Sequence, residues 1–147
     1  MRKSVIIYAS RHHGSTEKLV KHLASQFAID LINADEIHDA DLSGYDIIGF
    51  ASGIDFGKFY PSVTDYSRLL PQGKRLCAIY TCARDNDKYG MEIAEIAQKR
   101  GCNFIGKFGC RGYNTYGPWK IIGGMNKNHP NDADFAAVCT FYKNIMA

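Results

Sequence analysis

The chain has 147 residues, of which 46% are hydrophobic and 22% charged, and its formal net charge is +3. This composition is typical of one globular domain, residues 1–147, and argues against a disordered chain, a repeat array and, because Lys and Arg are scattered, a nucleic-acid-binding protein. The chain has no apolar run as long as a membrane span or a signal-peptide core, so we expect a cytoplasmic protein without a membrane segment.

The first predicted element is a strand, Ser4–Ala9, which is apolar on both faces as in a central parallel strand. A helix follows, in which Leu19 and Leu23 recur at helical spacing. The turn between them is rich in hydroxyls and consists of Ser10, Arg11, His12, His13, Gly14, Ser15 and Thr16. A helix N-terminus offers free N–H groups and a positive dipole end, which together with hydroxyls suit a phosphate. In a plainer interpretation, Ser15 or Thr16 only caps the helix.

This turn fits neither of two common phosphate motifs. It lacks the Gly-Lys-Ser/Thr of a Walker loop and the Gly-x-Gly-x-x-Gly of dinucleotide folds. Its pattern, Ser10-x-x-x-Gly14-Ser15-Thr16, resembles instead the flavodoxin phosphate loop, Thr/Ser-x-Thr-Gly-x-Thr, with one extra residue. The resemblance implies that the turn holds the phosphate of FMN. Since imidazoles titrate near neutral pH, we expect His12 or His13 to help bind that phosphate.

The second and third predicted strands continue the resemblance. The second strand is Ile29–Asn33, and the third ends at Ser52-Gly53 after the turn residues of an Asp-Leu-Ser-x-Tyr-Asp pattern that starts at Asp41. That pattern recurs before the third strand of flavodoxin-like proteins. The residues from Gly53 to Tyr60 are similar to the loop that borders the flavin ring in this family, including menaquinone-dependent protoporphyrinogen oxidases.

The rest of the chain keeps alternating between strand and helix. The predicted elements are a helix from about Ser62 to Leu70, a strand Arg75–Thr81, a helix Met91–Arg100, a strand Asn103–Cys110 and a helix Ala133–Met146. This alternation predicts an α/β fold, a doubly wound five-stranded parallel sheet with helices on both faces. We predict the flavodoxin-like strand order 2-1-3-4-5, and Pro130-Asn131-Asp132-Ala133-Asp134 resembles the flavodoxin entry to the last helix.

The resemblance implies an FMN site built from three loops at the carboxyl ends of strands 1, 3 and 4. Besides Ser10–Thr16, two loops are expected to flank the ring, with aromatic faces available for stacking and glycines that let a peptide turn toward the flavin. The residues expected there are Ser52, Gly53, Ile54, Asp55, Phe56, Gly57, Lys58, Phe59, Thr81, Cys82, Ala83, Arg84 and Tyr89. Each of them also has a plainer reading as packing or turn formation, which the sequence leaves open.

Several functions other than redox chemistry require residues that this chain lacks. A receiver domain requires an acidic pair after strand 1 and an aspartate at the end of strand 3, where this chain has Ser10-Arg11 and Ser52-Gly53. A low-molecular-weight phosphatase would need Cys-x5-Arg after strand 1, and the pattern shows no hydrolase or metal-binding constellation. Two functions remain: an electron carrier with a reductase or iron–sulfur protein as partner, and an FMN oxidoreductase acting on a quinone or another small substrate. We favour the carrier.

Charge and cysteines add two expectations. Familiar flavodoxins are acidic, whereas the ring loops of this chain carry a balanced set: Lys58, Arg84, Lys88 and Arg111 against Asp55, Asp85 and Asp87. We therefore predict a less negative potential for the second one-electron reduction of bound FMN.

The five cysteines show no zinc or Cys-x-x-Cys spacing and fit free thiols in a reducing compartment. Cys77 and Cys139 are expected to be buried and unreactive, and the reactivity of Cys82 and Cys110, like the role of the loop Arg111–Asn128 and the oligomeric state, stays open.

Overall fold

Five parallel strands form the centre of the fold in the order 2-1-3-4-5, which confirms the predicted flavodoxin-like topology. This computed structural model describes residues 3–11, 14–112 and 129–146. Because β1 pairs with β2 on one side and with β3 on the other, the strand order reverses beside β1. The strands are β1 (Ser4–Ala9), β2 (Ile29–Asn33), β3 (Ile47–Gly53), β4 (Arg75–Cys82) and β5 (Asn103–Arg111).

Helices cover both faces of the sheet. Every residue of β1 and β3 is buried, as expected for central parallel strands with helices on either side. One core lies under α1 and α4 and includes Leu19 and Val138, and the other lies under α2 and α3 and includes Val63 and Ile93. The helices are α1 (Ser15–Gln26), α2 (Pro61–Thr64), α3 (Met91–Arg100) and α4 (Asp132–Met146). Within the described ranges, the structure has no helix long and apolar enough to cross a membrane.

The helix predicted from about Ser62 to Leu70 is present, but it consists of two types of helix. The segment is the single turn of α2 followed by a 3-10 helix over Asp65–Leu69. Val63 and Tyr66 are both almost fully buried and lie three residues apart, which is the period of a 3-10 helix. The hydroxyl of Tyr66 donates to the carbonyl of Ile37, which ties this segment to the connection after β2.

A β-bulge interrupts the pairing of β5 with β4. Leu76 pairs with Phe104, whereas the next residue, Cys77, pairs with Gly106, so that Ile105 is an inserted residue. Gly106 has a φ of 144°, a value that side chains rarely adopt, and a Cβ on it would lie 3.3 Å from a ring atom of the α4 residue Phe141. The bulge thus depends on glycine at this position.

The bulge also changes which face of the sheet the following residues occupy. Because side chains alternate along a strand, one inserted residue moves all later side chains to the opposite face. Lys107 and Gly109 consequently lie on the α3 side, next to Tyr80, and Phe108 and Cys110 pack on the α4 side. The strand extends to Arg111, one residue beyond the predicted end.

Candidate functional site

The loop after β1 ends at the N-terminus of α1. Gly14 precedes the helix in the left-handed region, with a φ of 69°, and it has no side chain with which to cap the helix. The hydroxyl oxygen of Ser10 instead accepts a hydrogen bond from the backbone N–H of Glu17 at 3.0 Å. Ser15 and Thr16 are buried at the first two helical positions. The interpretation that Ser15 or Thr16 is the cap was therefore wrong, because Ser10 takes that role.

The first turn of α1 is tied to the end of β4. The side-chain oxygens of Thr16 and Thr81 lie 2.8 Å apart, and both residues are buried. Gly112, just after β5, donates its N–H to the carbonyl of Cys82 at 2.9 Å. A Cβ on Gly112 would lie 3.0 Å from the Cβ of Ser15 and 3.1 Å from that of Thr81. The backbone after β5 therefore closes directly on the start of α1, a contact that sequence reasoning missed.

The loop after β3 contains a two-residue hairpin. Asp55 and Lys58 exchange both backbone hydrogen bonds, at 2.9 and 3.0 Å. The two residues between them, Phe56 and Gly57, have φ values of 51° and 78°, as in a type I′ turn. Phe56 is 92% exposed at the tip. A bulky side chain that buries nothing in a left-handed conformation is strained, which is a common property of functional sites.

Hydrogen bonds hold this loop on the strands and on α3. The Ser52 hydroxyl donates to the carbonyl of Gly53 at 2.5 Å and accepts the N–H of Tyr60 at 2.9 Å. The N–H of Ile54 donates to the carbonyl of Thr81 at 3.2 Å, which joins the loop to β4. The base of the loop is therefore held by hydrogen bonds to Ser52 of β3 and to Thr81 of β4.

Phe59 is buried, unlike Phe56 in the same loop. Its side chain is 3% exposed and packs in the core beside Tyr80, with 6.4 Å between the ring centroids. Its N–H donates to a carboxylate oxygen of Glu92, in the first turn of α3, at 2.7 Å. The structure thus brings Phe59 near the candidate site as a packing residue, and Glu92 anchors it there.

Arg11 connects the loop after β1 to the loop after β3. Its guanidinium donates to Asp35 at 2.8 Å and lies over the ring of Tyr60, 4.3 Å from the ring centroid. Burial alone would raise the pKa of Asp35, but the hydrogen bond and charge of Arg11, together with the nearby hydroxyl of Ser62, outweigh it, and the pKa lies below its usual value. The positive charge of Arg11 therefore sits between the two loops.

The loop after β4 is organised around Tyr80. The Tyr80 hydroxyl donates to Asp85 at 2.6 Å, and burial together with this carboxylate raises the pKa of Tyr80 well above its ordinary value. The ring of Tyr89 meets Tyr80 edge to face, with 5.8 Å between the ring centroids. Ala83 is partly buried, and Arg84 is exposed at the edge of this loop. Tyr89 also lies 4.0 Å from where a Cβ of Gly57 would be, so the loops after β3 and β4 face each other.

The two cysteines whose reactivity was open are protected by burial. Burial, with smaller contributions from nearby carboxylates, raises the pKa of Cys82 and that of Cys110 each to about 12. Both thiols are therefore protonated at neutral pH, and neither is poised to act as a nucleophile. Cys77 is buried as expected, whereas Cys139 is only partly buried.

Some predicted features fall beyond what the structure describes. His12 and His13 lie outside the described residues, as does most of the loop expected to cover a substrate or dock a partner, residues 113–128. Among the residues that are described, there is no group of three or more His, Cys, Asp or Glu side chains that could hold a metal ion.

The sequence matches the flavodoxin domain family over residues 5–111. An uncharacterised protein of Methanocaldococcus jannaschii is 35% identical to this chain over 147 residues, which cover 98% of either chain.

Several solved structures share the fold. A rubredoxin oxygen:oxidoreductase from the anaerobe Desulfovibrio gigas superposes on 99% of this chain with a TM-score of 0.73 and 20% identity, and this chain spans 35% of that protein. A flavodoxin from the domain Archaea has a TM-score of 0.66 and 12% identity, with 98% of this chain and 99% of that one covered. A flavoprotein from Lactobacillus acidophilus NCFM in complex with FMN has a TM-score of 0.58 and 18% identity, with 74% and 93% covered. At these identities, the three structures show the fold alone.

Proposed function

Because this chain belongs to the flavodoxin domain family, we propose that it is an FMN-binding domain, residues 1–147, that transfers electrons between redox partners. The observation that carries the proposal is the convergence of three loops at the carboxyl ends of β1, β3 and β4. These loops are linked by the Thr16–Thr81 hydrogen bond and by the N–H of Ile54 on the Thr81 carbonyl. They border the place where strand order reverses, which is where open α/β sheets bind ligands.

The N-terminal turn of α1 suits the phosphate of FMN. The first helical N–H groups point toward the loop, and the helix dipole favours an anion there. Gly14 leaves the approach free of a side chain, and a carboxylate oxygen of the nearby Glu17 lies 3.0 Å from Lys21, which offsets its charge. We assign the phosphate to Ser10, Arg11, His12, His13, Gly14, Ser15 and Thr16.

The two facing loops suit the flat ring. The hairpin presents Phe56 at its tip, and Tyr89 lies across from Gly57 in the second loop. An aromatic side chain and exposed peptide edges are the groups that hold a tricyclic ring by stacking and hydrogen bonding. We assign the ring to the residues from Ser52 to Lys58 and to Thr81, Cys82, Ala83, Arg84 and Tyr89, with Phe59 as the packing residue of the first loop. Bound FMN would supply one- or two-electron transfer, and the chain's role is to bind and orient it.

A carrier function is the first choice because apolar side chains are exposed beside the proposed ring site. Phe56 is 92% and Met91 42% exposed, and such side chains suit transient contact with a protein partner such as a reductase or an iron–sulfur protein. The second candidate function is an FMN-dependent oxidoreductase with a quinone or other small substrate. A cavity of about 360 Å³, lined by Asp85, Arg111 and His129 among others, favours it, since this volume fits a small ligand.

Titration of the purified, cofactor-free protein with FMN tests the proposal. We expect saturable binding with one FMN per chain, measured by calorimetry and by quenching of flavin fluorescence. Folded protein that shows no saturable FMN binding would overturn the proposed function. Turnover of a small quinone far above that of free FMN, without any partner protein, would move the choice from carrier to enzyme.

A further inference from the structure

Lys107 reaches from β5 into the loop after β4. Its ammonium donates to the carbonyl oxygen of Tyr89 at 2.8 Å and also to that of Asp87. The same nitrogen lies over the ring of Tyr80, 5.9 Å from the ring centroid. A single side chain of β5 therefore contacts two carbonyls of the loop after β4 and the Tyr80 ring against which Tyr89 packs.

The hydrogen bonds of this segment show what Lys107 contributes. The carbonyls of Asn86, Lys88 and Gly90 accept the N–H groups of Tyr89, Met91 and Ile93, respectively, so local turns satisfy every second carbonyl from residue 86 to residue 90. The two intervening carbonyls, those of Asp87 and Tyr89, are the ones that accept from Lys107. A protonated lysine has three donors and no acceptor, which suits the capture of two carbonyls at once. Lys107 thus completes a hydrogen-bond pattern that the loop does not complete by itself.

The bulge in β5 places Lys107 on this side of the sheet. If Ile105 paired with Cys77 in regular register instead of being inserted, side-chain alternation would send Lys107 toward α4 and away from Tyr89. Gly109, two residues further on, lies beneath Tyr80, where any Cβ would overlap the Tyr80 ring. Bulges commonly redirect a side chain at a functional site.

We propose that Lys107 is a positioning residue for the flavin ring, which acts by holding the carbonyls of Asp87 and Tyr89 and thereby the shape of the second ring loop. This inference rests on the proposed function. Asp87 is exposed and Tyr89 is partly exposed, so water can reach the two carbonyls that are released when Lys107 is lost. Removal of the ammonium therefore changes the geometry of the loop more than the overall stability of the protein.

The test uses Lys107→Met and Lys107→Arg, with Lys99→Met as a matched control, since Lys99 is exposed in the last turn of α3. The first readout is amide hydrogen exchange at residues 86–91 in the FMN-free protein, and the second is the Kd for FMN. We expect Lys107→Met to speed exchange in this segment and to weaken FMN binding on the order of tenfold, with Lys107→Arg between it and the parent. Urea unfolding of Lys107→Met should match that of Lys99→Met.

Each outcome decides the inference. Unchanged exchange in Lys107→Met, or faster exchange with an unchanged Kd, would overturn the positioning role while the proposed function stands. A parent protein that binds no FMN would overturn the proposed function itself, and the inference with it. If Lys107→Met does not fold, Lys107→Gln carries the same expectations, because its amide nitrogen is uncharged and lies one bond closer to the backbone than the lysine ammonium.

Discussion

The hydroxyl oxygens of Thr16 and Thr81 lie 2.8 Å apart in a buried hydrogen bond that joins the first turn of α1 to the end of β4. The two residues are far apart in the sequence, and their contact brings the proposed phosphate loop and the second ring loop to one edge of the sheet. Since the pair is shielded from water, either hydroxyl would lack a partner if the other were removed.

A double-mutant cycle measures this contact. We expect Thr16→Val and Thr81→Val each to lower the free energy of unfolding by about 1–2 kcal/mol, because each leaves one buried hydroxyl unsatisfied. The double variant should lose less than the sum of the two single losses. Urea unfolding is the measurement, and Thr140→Val is the control because Thr140 is exposed on α4. Strictly additive losses would contradict the hydrogen bond.

The approach of Gly112 to the phosphate loop predicts a position that does not accept a side chain. Gly112→Ala places a Cβ 3.0 Å from the Cβ of Ser15, and we expect it to lower the free energy of unfolding by about 1–3 kcal/mol and to weaken FMN binding. Gly44→Ala is the matched control, because a Cβ there meets no atom within 4 Å. If the two variants have equal stability and equal FMN affinity, the close approach of Gly112 is not what shapes the loop.

The strained hairpin tip predicts a stabilising substitution that weakens function. Phe56 has a φ of 51°, which costs about 1 kcal/mol for most residues but less for asparagine. We expect Phe56→Asn to raise the free energy of unfolding of the FMN-free protein by about 0.5–1 kcal/mol and to weaken FMN binding, since an aromatic face is lost. Urea unfolding and FMN titration measure the two effects. A loss of stability would show that Phe56 makes contacts that offset its strain.

Buried thiols predict a loss of stability at alkaline pH. Burial raises the pKa of Cys77 from the ordinary 9.0 to about 12, and that of Cys82 and Cys110 to about 12 as well. A raised folded-state pKa contributes stability that is complete below the unfolded pKa and is lost as pH rises through the folded pKa. We therefore expect the free energy of unfolding to fall as pH rises from about 9 to about 12, by at most about 1.4 kcal/mol per pH unit for each thiol.

Removal of one thiol isolates its contribution to this pH dependence. In Cys77→Ala the fall above the unfolded pKa should be shallower than in the parent, whatever the stability of the variant near neutral pH. Parallel pH profiles of the two proteins would contradict the assignment to Cys77.

The balanced charge of the ring loops predicts a redox effect. Lys58, Arg84, Lys88 and Arg111 are exposed at the loop ends, so their charges act through a partly screened field. We expect Arg84→Ala combined with Arg111→Ala to move the second one-electron reduction of bound FMN to a lower potential, on the order of tens of millivolts in low salt. A redox titration measures the shift, and added salt should reduce it. An unchanged potential in low salt, with FMN still bound, would rule out the charge argument.

The strands were predictable because a strand that is buried on both faces appears in the sequence as a short continuous run of apolar residues. Ser4–Ala9 and Ile29–Asn33 have the predicted bounds, and Met91–Arg100 ends before Gly101, whose φ of 68° suits a helix C-terminus. The 3-10 helix over Asp65–Leu69 was not predicted, because a segment of that length holds too few turns to separate periods of 3.0 and 3.6.

The sequence predicted which loops form the candidate site, but not which residues contact one another there. Parallel strands bring their carboxyl ends to one edge, so the positions of Ser10, Ser52 and Thr81 follow from topology. The core packing of Phe59, the reach of Glu92 and the pairing of Arg11 with Asp35 depend on side-chain directions that only the folded chain fixes. The bulge before Lys107 had one local signal, since an isolated glycine inside a strand, here Gly106, favours a bulge.

The hydrogen bonds that close the hairpin after β3 do not depend on the proposed ring site. Both backbone hydrogen bonds between Asp55 and Lys58 lie inside the turn, and the residues at its base are held by Ser52 and Glu92. The pair Phe56-Gly57 can therefore be replaced by any two residues that accept positive φ, such as Asn-Gly, without a change in the backbone of the hairpin. A library randomised at position 56, with Gly57 retained, would vary the chemistry presented at the ring edge while the core stays as it is. Selection from such a library would yield variants of this domain in which bound flavin has different reduction potentials.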